Sequence, residues 1–406
     1  MARAFDGIKV VDLATFVAAP SATRFFADQG AEVIKVEAIG GDVLRWGTSS
    51  DGIPSDPHEN IIYDIENGNK KSISLNLKDP ECFEVLMKLV DKCDVFVTNW
   101  RPNALKKMGL DYETLSAKYP AIVYGSITGY GDCGPDADLP GYDATAFFAR
   151  SGLLANLHEK DAKPANWFNS MGDRQAGMIL AAGLSAALFQ AKTTGKGDCV
   201  TVSLLATAIF SQATPLEASQ YGKVNYPLRK QDLVNPLMGC YMTKDNRWIQ
   251  LALPVYDLMA TPFANALGHP EWREDPRFTD FKTLNDGNGN NGMFYDVVAE
   301  EFLKYDAKEI IDILTKADLP HALAQTWDEV LVDKQAWATD CFVEMDCPSG
   351  KRTVVRNPVR FKNAGIPDFK KSPLVGENSE EILLELGYSR EWIAAQLERK
   401  NIRIMK

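Results

Sequence analysis

Residues 8–14, IKVVDLA, form a largely apolar run rich in Val, the pattern of a strand buried on both faces. Pro20 then opens a helical stretch that Gly30 closes, and AEVIKVE (31–37) is the next strand. Strand, helix and strand within residues 8–37 make a βαβ unit, which requires a parallel sheet. The pattern returns twice. Pro80 starts the helix ECFEVLMKLVDKC before the strand DVFVTN (94–99), and LSAKYP leads to the strand AIVYGSIT (121–128). A long helix is predicted from about Arg174 to Thr193, capped by Gly195, with DCVTVSLL (198–205) returning as a strand. Its apolar run, MILAAGLSAALF from Met178, reads as a buried helix. Residues 225–325 change character, with a hairpin in NPLMGCYMTKDNRWIQLALP, then three helices and a polar Gly/Asn connection at 286–293. A strand-and-helix tail ends in the amphipathic helix SREWIAAQLERKN (389–401). The expected fold class is α/β, with a Rossmann-like first half.

At 406 residues the chain should hold two or three folding units, taking about 150 residues per domain. The net charge of -11 argues against general nucleic-acid binding, yet one local basic patch would suffice for an anionic ligand. The seven cysteines are irregularly spaced without a C-x-x-C, as expected of free thiols in a reducing cytoplasm rather than a zinc site. The opening MARAFDGIKVVDLA is not a signal peptide, and no stretch of 18 uninterrupted apolar residues predicts a membrane span.

The turn after the first strand reads ATFVAAP, with no G-x-G-x-x-G, and no P-loop motif occurs, so NAD, FAD and nucleoside triphosphates are disfavoured. The four histidines show no metal-ligand spacing, and there is no G-x-S-x-G elbow for a serine hydrolase. No metal site is expected. Carboxylates remain. Gly172-Asp173-Arg174-Gln175 stands where a loop enters the long helix. The plain reading of Asp173 is a helix N-cap. That reading is compatible with catalysis, because a carboxylate kept ionised by the helix dipole can attack an activated acyl group, and Gly172 leaves room for a substrate. Arg101 directly follows the strand DVFVTN, where parallel sheets bind ligands, and suits a phosphate. Lys70, Lys71, Lys78, Lys106 and Lys107 are also basic, and Lys78 and Lys106 read first as a solvated face.

These motifs, in order, resemble the class III CoA-transferases, the formyl-CoA transferase and carnitine CoA-transferase group. The resemblance lies in GIKVVDLATFVAAPSATRFFADQGAEVIKVEAIGGDVLR, NKKSISLNLKDP, DVFVTNWRPNALKKMGLDYETL, ITGYGDCGPDADLPGYDATAFFARSG, MGDRQAGMILAAGLSAALFQAKTTGKGDCVTVSLL and ALAQTWDEVLVD. It implies a large Rossmann-like domain from both chain ends (1–205 and 326–406), a linker (206–224), a smaller inserted α+β domain (225–325) and an interlocked-ring homodimer. It implies that Asp173 attacks an acyl-CoA, passing through a mixed anhydride and an aspartyl-CoA thioester. CoA thioesters are then substrates, with no tightly bound cofactor. Phe16 and Val17 would line the pantetheine path, Leu75 and Lys78 would flank adenine and ribose, and Asn99, Trp100, Arg101 and Lys107 would hold the phosphates. Gly129 and Tyr130 would border the thioester. Family members carry Arg after the IKVE motif where this chain has Ala38, and Arg45 or Lys35 is the expected replacement. A racemase branch needs a His where this chain has Tyr142, in Gly141-Tyr142-Asp143, and Tyr is a poor base near neutral pH. A non-catalytic acyl-CoA-binding protein is the remaining alternative.

Within the family, YDIENGNKKSISLNLK, TAFFARSG and AQTWDEVL look like the transferases of (R)-2-hydroxy acids, of the phenyllactate and 2-hydroxyisocaproate type, in amino-acid fermentation. These take CoA from the enoyl-CoA product of a downstream 2-hydroxyacyl-CoA dehydratase. Their usual GDHQ reads GDRQ here, so Arg174 could engage the acceptor. Phe147, Phe148, Trp167, Phe168 and Met238 are expected wall residues of the acceptor pocket, each also a natural core residue.

Overall fold

The computed structural model of the protein describes residues 3–46, 55–56, 58–165, 170–222, 226–365 and 367–406. Strand and helix alternate from the start: β1 (Lys9–Leu13), α1 (Ala18–Asp28), β2 (Glu32–Glu37), α2 (Ile61–Asn67), β3 (Lys71–Leu75), α3 (Pro80–Asp91), β4 (Val95–Thr98), α4 (Pro102–Met108), α5 (Tyr112–Lys118) and β5 (Val123–Thr128). A π-helical segment (Asp143–Ala149) and the short α6 (Leu153–Asn156) precede α7 (Met171–Thr194), β6 (Cys199–Ser203), α8 (Leu204–Ser211) and α9 (Ala213–Ala218). Residues 206–224, expected as a linker, thus include helix.

The chain divides into two compact units. One comprises the described residues of 1–153, 166–216 and 334–406, the other those of 154–165 and 217–333. The second unit holds β7 (Cys240–Met242), β8 (Trp248–Leu251), α10 (Tyr256–Ala266), α11 (Phe281–Leu284), α12 (Asn290–Phe302), α13 (Ala307–Lys316), β9 (His321–Leu323) and α14 (Trp327–Leu331). Its three strands are antiparallel in the order β7-β8-β9, and it closes its own core around Tyr241, Ile249, Phe263, Phe294 and Phe302. The expected hairpin is β7–β8, and among the described residues of 225–325 four α-helices, α10 to α13, stand where three were expected.

The first unit continues with α15 (Lys334–Ala338), the hairpin β10 (Phe342–Cys347) and β11 (Gly350–Val355), α16 (Ser379–Glu385), α17 (Arg390–Glu398) and β12 (Ile402–Arg403). Its seven-stranded sheet has the order β12-β3-β2-β1-β4-β5-β6. All pairs are parallel except β12 with β3. From β1 the chain winds outward through β2 and β3, then returns to β4 and winds the other way. The crevice past the ends of β1 and β4 is therefore the topological switch point, where doubly wound sheets bind ligands.

Helix α7 lies across α1. A Cβ on Gly177 would stand 2.6 Å from the Ala18 carbonyl and 1.8 Å from Ser21 Oγ, so only glycine allows this crossing. Leu180, Leu184 and Leu188 are buried on the same side. The opposite face is not buried, contrary to expectation: Ile179 is 42% and Phe189 74% exposed. Among the described residues α7 is the one helix long and apolar enough to cross a membrane, a test that a core helix with one buried face also passes.

Beneath the switch point lies a closed set of charges. Asp12, Glu37 and Asp42 meet Lys35, Arg45 and Lys70, all buried. Lys70 Nζ donates to Asp12 Oδ2, the Pro20 carbonyl and Asn67 Oδ1, each at 2.9 Å. Lys35 Nζ donates to the Ala14 carbonyl at 2.8 Å and stands 3.1 Å from Asp42. Arg45 grips both oxygens of Glu37 at 2.8 and 2.7 Å and lies 3.8 Å over the Tyr63 ring. Burial alone would raise the Asp12 carboxyl, but Lys70 and Lys35 hold it below its ordinary value. Lys70→Met would strand Asp12 and is expected to cost about 3 kcal/mol in denaturant unfolding. Lys71→Met removes only half-exposed pairs to Glu32 and Glu381 and should cost under about 1 kcal/mol.

Candidate active site

The chain turns at the ends of β1 and β4 are clipped together. Thr15 N donates to Asn99 Oδ1 at 3.0 Å, and Asn99 Nδ2 donates back to the Thr15 carbonyl at 2.7 Å. Phe16 then takes a left-handed backbone, φ 62°, which strains a residue with a Cβ. Its N–H is held by Asp42 Oδ1 at 3.2 Å, and Asp42 is paired with buried Lys35. The charge set under the sheet thereby fixes the strained turn. The Phe16 ring meets Tyr142 edge-on, with centroids 5.6 Å apart. Past this turn opens a cavity of about 420 Å³ lined by Phe16, Val17, Asn99, Trp100, Arg101, Gly129, Tyr142, Asp143 and Asp173, among others.

Asp173 belongs to the first turn of α7. It is not the N-cap that the sequence predicted, because the helix begins at Met171. Ser170 is the N-cap, with φ 76° and no side-chain cap. Asp143, from the π-helical segment, covers this end. Its carboxylate faces the backbone N–H groups of Ser170 to Asp173, which draw its pKa down, yet neither oxygen makes a hydrogen bond of normal geometry. Burial prevails and its pKa stays raised. The approach requires Gly172, where a Cβ would lie 2.5 Å from Asp143 Oδ1 and 2.2 Å from the Phe147 ring.

Arg174 turns away to α2. Its Nε and Nη2 both stand 2.8 Å from Glu66 Oε1, and the Glu66 side chain is 2% exposed. Burial, then Asp143, then Glu66 push the Asp173 carboxyl up to about 7, and Arg174 only partly opposes them. The helix dipole was expected to keep Asp173 ionised throughout, but desolvation and two like charges outweigh it.

The cavity thus gathers Asp173, Phe16, Val17, Asn99, Trp100, Arg101 and Gly129. The other sequence-predicted residues fall elsewhere. Leu75 is 1% exposed in the core and pairs with Ile402 of β12. Lys78 and Lys107 are exposed outside the cavity lining. Tyr130 is half-buried beside Gly141. Neither Lys35 nor Arg45 can replace an arginine at Ala38, because both are buried in the charge set. Phe147 and Phe148 are core residues, Trp167 and Phe168 lie outside the described residues, and Met238 belongs to the second unit. Sequence reasoning missed Glu66, Asp42 and the side chain of Asp143. No local spacing links Glu66 to residue 174, although Asp143 was in view within Gly141-Tyr142-Asp143.

Arg174→Ala would leave the Glu66 carboxylate buried without its cation. Because Arg174 is half-exposed, the expected loss in denaturant unfolding is about 1–3 kcal/mol. Glu66→Gln in the same chain should recover most of it.

The model of CoA-transferase family III matches residues 5–379. The cinnamoyl-CoA:phenyllactate CoA-transferase of Clostridium sporogenes is 45% identical, covering 99% of this chain and 98% of its own length. The (R)-2-hydroxy-4-methylpentanoate CoA-transferase of Clostridioides difficile is 40% identical, covering 98% and 99%. The crystal structure of a CAIB/BAIF family protein from Brucella suis superposes with a TM-score of 0.77 at 28% identity, covering 95% of this chain and 100% of that one. With the switch-point cavity and its half-buried Asp173 in place, the family match over most of the chain settles the class: the protein belongs to CoA-transferase family III.

Proposed function

We propose that this enzyme moves CoA from a 2-enoyl-CoA or acyl-CoA to an (R)-2-hydroxy acid of the phenyllactate or 2-hydroxyisocaproate kind, with Asp173 as covalent nucleophile. The substrates are those named for its two relatives above. The observation that carries the mechanism is Asp173 itself, a carboxylate lining the switch-point cavity whose ionised form is disfavoured by its surroundings. A carboxylate of raised basicity is a better nucleophile, and the reaction needs a nucleophile that can also leave.

Asp173 attacks the thioester carbonyl. A C–O bond forms, the C–S bond breaks, and the electron pair leaves on the CoA sulfur. The thiolate then attacks the Asp173 carbonyl of the anhydride, freeing the donor acid and leaving an aspartyl-CoA thioester. The acceptor carboxylate attacks that thioester and releases the thiolate again. The thiolate finally takes the acceptor acyl group and restores Asp173. Phe16 and Val17 offer apolar surface to the pantetheine arm, and Arg101, at the start of α4, offers a cation to the phosphates. Lys78 and Lys107, exposed nearer the surface, suit the nucleotide end. Leu75 is withdrawn from the set, since its side chain is in the core.

Acceptor acids of this kind fit a cytoplasmic enzyme working beside a dehydratase that consumes the 2-hydroxyacyl-CoA. A homodimer would cover exposed apolar side chains such as Ile179 and Phe189 of α7 and Phe210 of α8, the last 77% exposed. Tyr142 stands where the racemase branch needs its base, which disfavours a racemase.

Incubation with cinnamoyl-CoA, trapping with hydroxylamine and mass spectrometry should place the adduct on the Asp173 peptide. Asp173→Ala should show none and lose about 10³-fold or more in transfer rate. An unmodified Asp173 with turnover intact would refute the mechanism. Since only ionised Asp173 attacks, the rate should rise with pH through about 7 and fall away below it. Arg101→Gln should raise KM for the CoA thioester about tenfold with little change in kcat, and the difference should shrink at high salt.

A further inference from the structure

Among the described residues, three carboxylates and a single guanidinium surround the start of α7. Asp173 is faced by Asp143 from the π-helical segment, by Glu66 from α2 and by Arg174 from its own helix. More remote Lys70 and Arg24 act on Glu66, and Arg101 and Tyr142 line the same cavity. The two neighbouring carboxylates are not equivalent. Glu66 has Arg174, with both of that guanidinium's described contacts on one oxygen. Asp143 is 5% exposed and, among the described residues, has no ion pair and no hydrogen-bond partner of normal geometry for either oxygen. It is held against Gly172 and the backbone N–H groups of the helix start. π-helical segments are rare and recur at functional sites, and this one begins at Asp143.

We propose that Asp143 is a positioning residue whose fixed negative charge drives Asp173 toward its neutral, acylated forms. The inference rests on the covalent reading above. Free Asp173 carries a negative charge, whereas its mixed anhydride and its CoA thioester carry none. Each acylation of Asp173 moves that charge onto a departing sulfur or carboxylate, away from Asp143. Repulsion across a desolvated cavity is strong, so its relief favours the bound intermediates over the free enzyme. The backbone amides of α7 hold Asp143 in place without neutralising it.

The test compares wild type, Asp143→Asn, Asp143→Ser and Asp143→Glu. Two quantities are read: the pH dependence of transfer, and the steady-state fraction of Asp173 adduct under saturating cinnamoyl-CoA. Asp143→Asn is expected to move the acid limb down by about one pH unit, a tenfold change in proton affinity. It should also lower the adduct fraction several-fold and reduce kcat more than KM. Asp143→Glu, which keeps the charge, should restore the wild-type limb. A folded Asp143→Asn enzyme with an unmoved acid limb and an unchanged adduct fraction would overturn the proposal, since Asp143 would then be neutral or merely structural. Should Asp143→Asn fail to fold, Asp143→Ser decides. It removes the same charge with a smaller side chain, so an unmoved limb and an unchanged adduct fraction there overturn the proposal equally. A wild-type enzyme that never forms the adduct would instead remove the covalent reading itself, a result separable from either variant's.

Discussion

Burying a charge is costly unless an opposite charge is built in beside it. This protein obeys that rule on one side of its crevice and breaks it on the other. Under the ends of β1 and β2, three cations meet three carboxylates with every ion buried, and the set is closed. That closure makes the ground rigid. It holds Asp42, Asp42 holds the strained backbone of Phe16, and the clip between Thr15 and Asn99 ties that turn to the neighbouring strand. At the start of α7 the carboxylates are left in excess, and the aspartate that faces the cavity has the raised pKa of a group that would rather not be charged. A firm floor and an uncomfortable carboxylate are two outcomes of the same desolvation.

The packing of α1 on α7 joins the two sides. The turn after β1 leads directly into α1, and α7 crosses α1 at Gly177 closely enough that no side chain fits between. Gly172 does the same at the helix start, admitting Asp143 and Phe147 to the backbone. Two glycines in one helix therefore set where Asp173 stands relative to Phe16, Asn99 and Arg101. Arg174 is spent in this framework. Beside Asp173 it was an attractive partner for an acceptor carboxylate, but the structure commits it to Glu66.

The parallel strands were legible because a strand buried on both faces writes a nearly continuous apolar run, as IKVVDLA and DVFVTN do. β3 was less so. Its KSISL begins with Lys71, follows Lys70 and alternates small polar residues with apolar ones, and only pairing with β2 and the distant β12 makes it a strand. The Asp173 motif was visible in the sequence, and so were Arg101 and the turn that holds Phe16, since each sits at the end of a readable strand or the start of a readable helix. The ionisation of Asp173 was not legible. It depends on Glu66 and Asp143, which the fold brings from 107 and 30 positions upstream, and on burial that no spacing records. Lys35 and Arg45 failed as ligand cations for the same reason, because sequence shows a charge without showing its partner.

The most direct test of this account is an infrared titration of the free wild-type enzyme against Asp173→Asn, following the carbonyl band of a protonated carboxylic acid. The account predicts one such band in the difference spectrum, disappearing as pH rises through about 7. A difference spectrum in which Asp173 is already fully ionised at pH 5 would contradict it. The crowded carboxylates around α7 would then have found a neutralising partner, and the electrostatic basis for nucleophilic Asp173 would be gone.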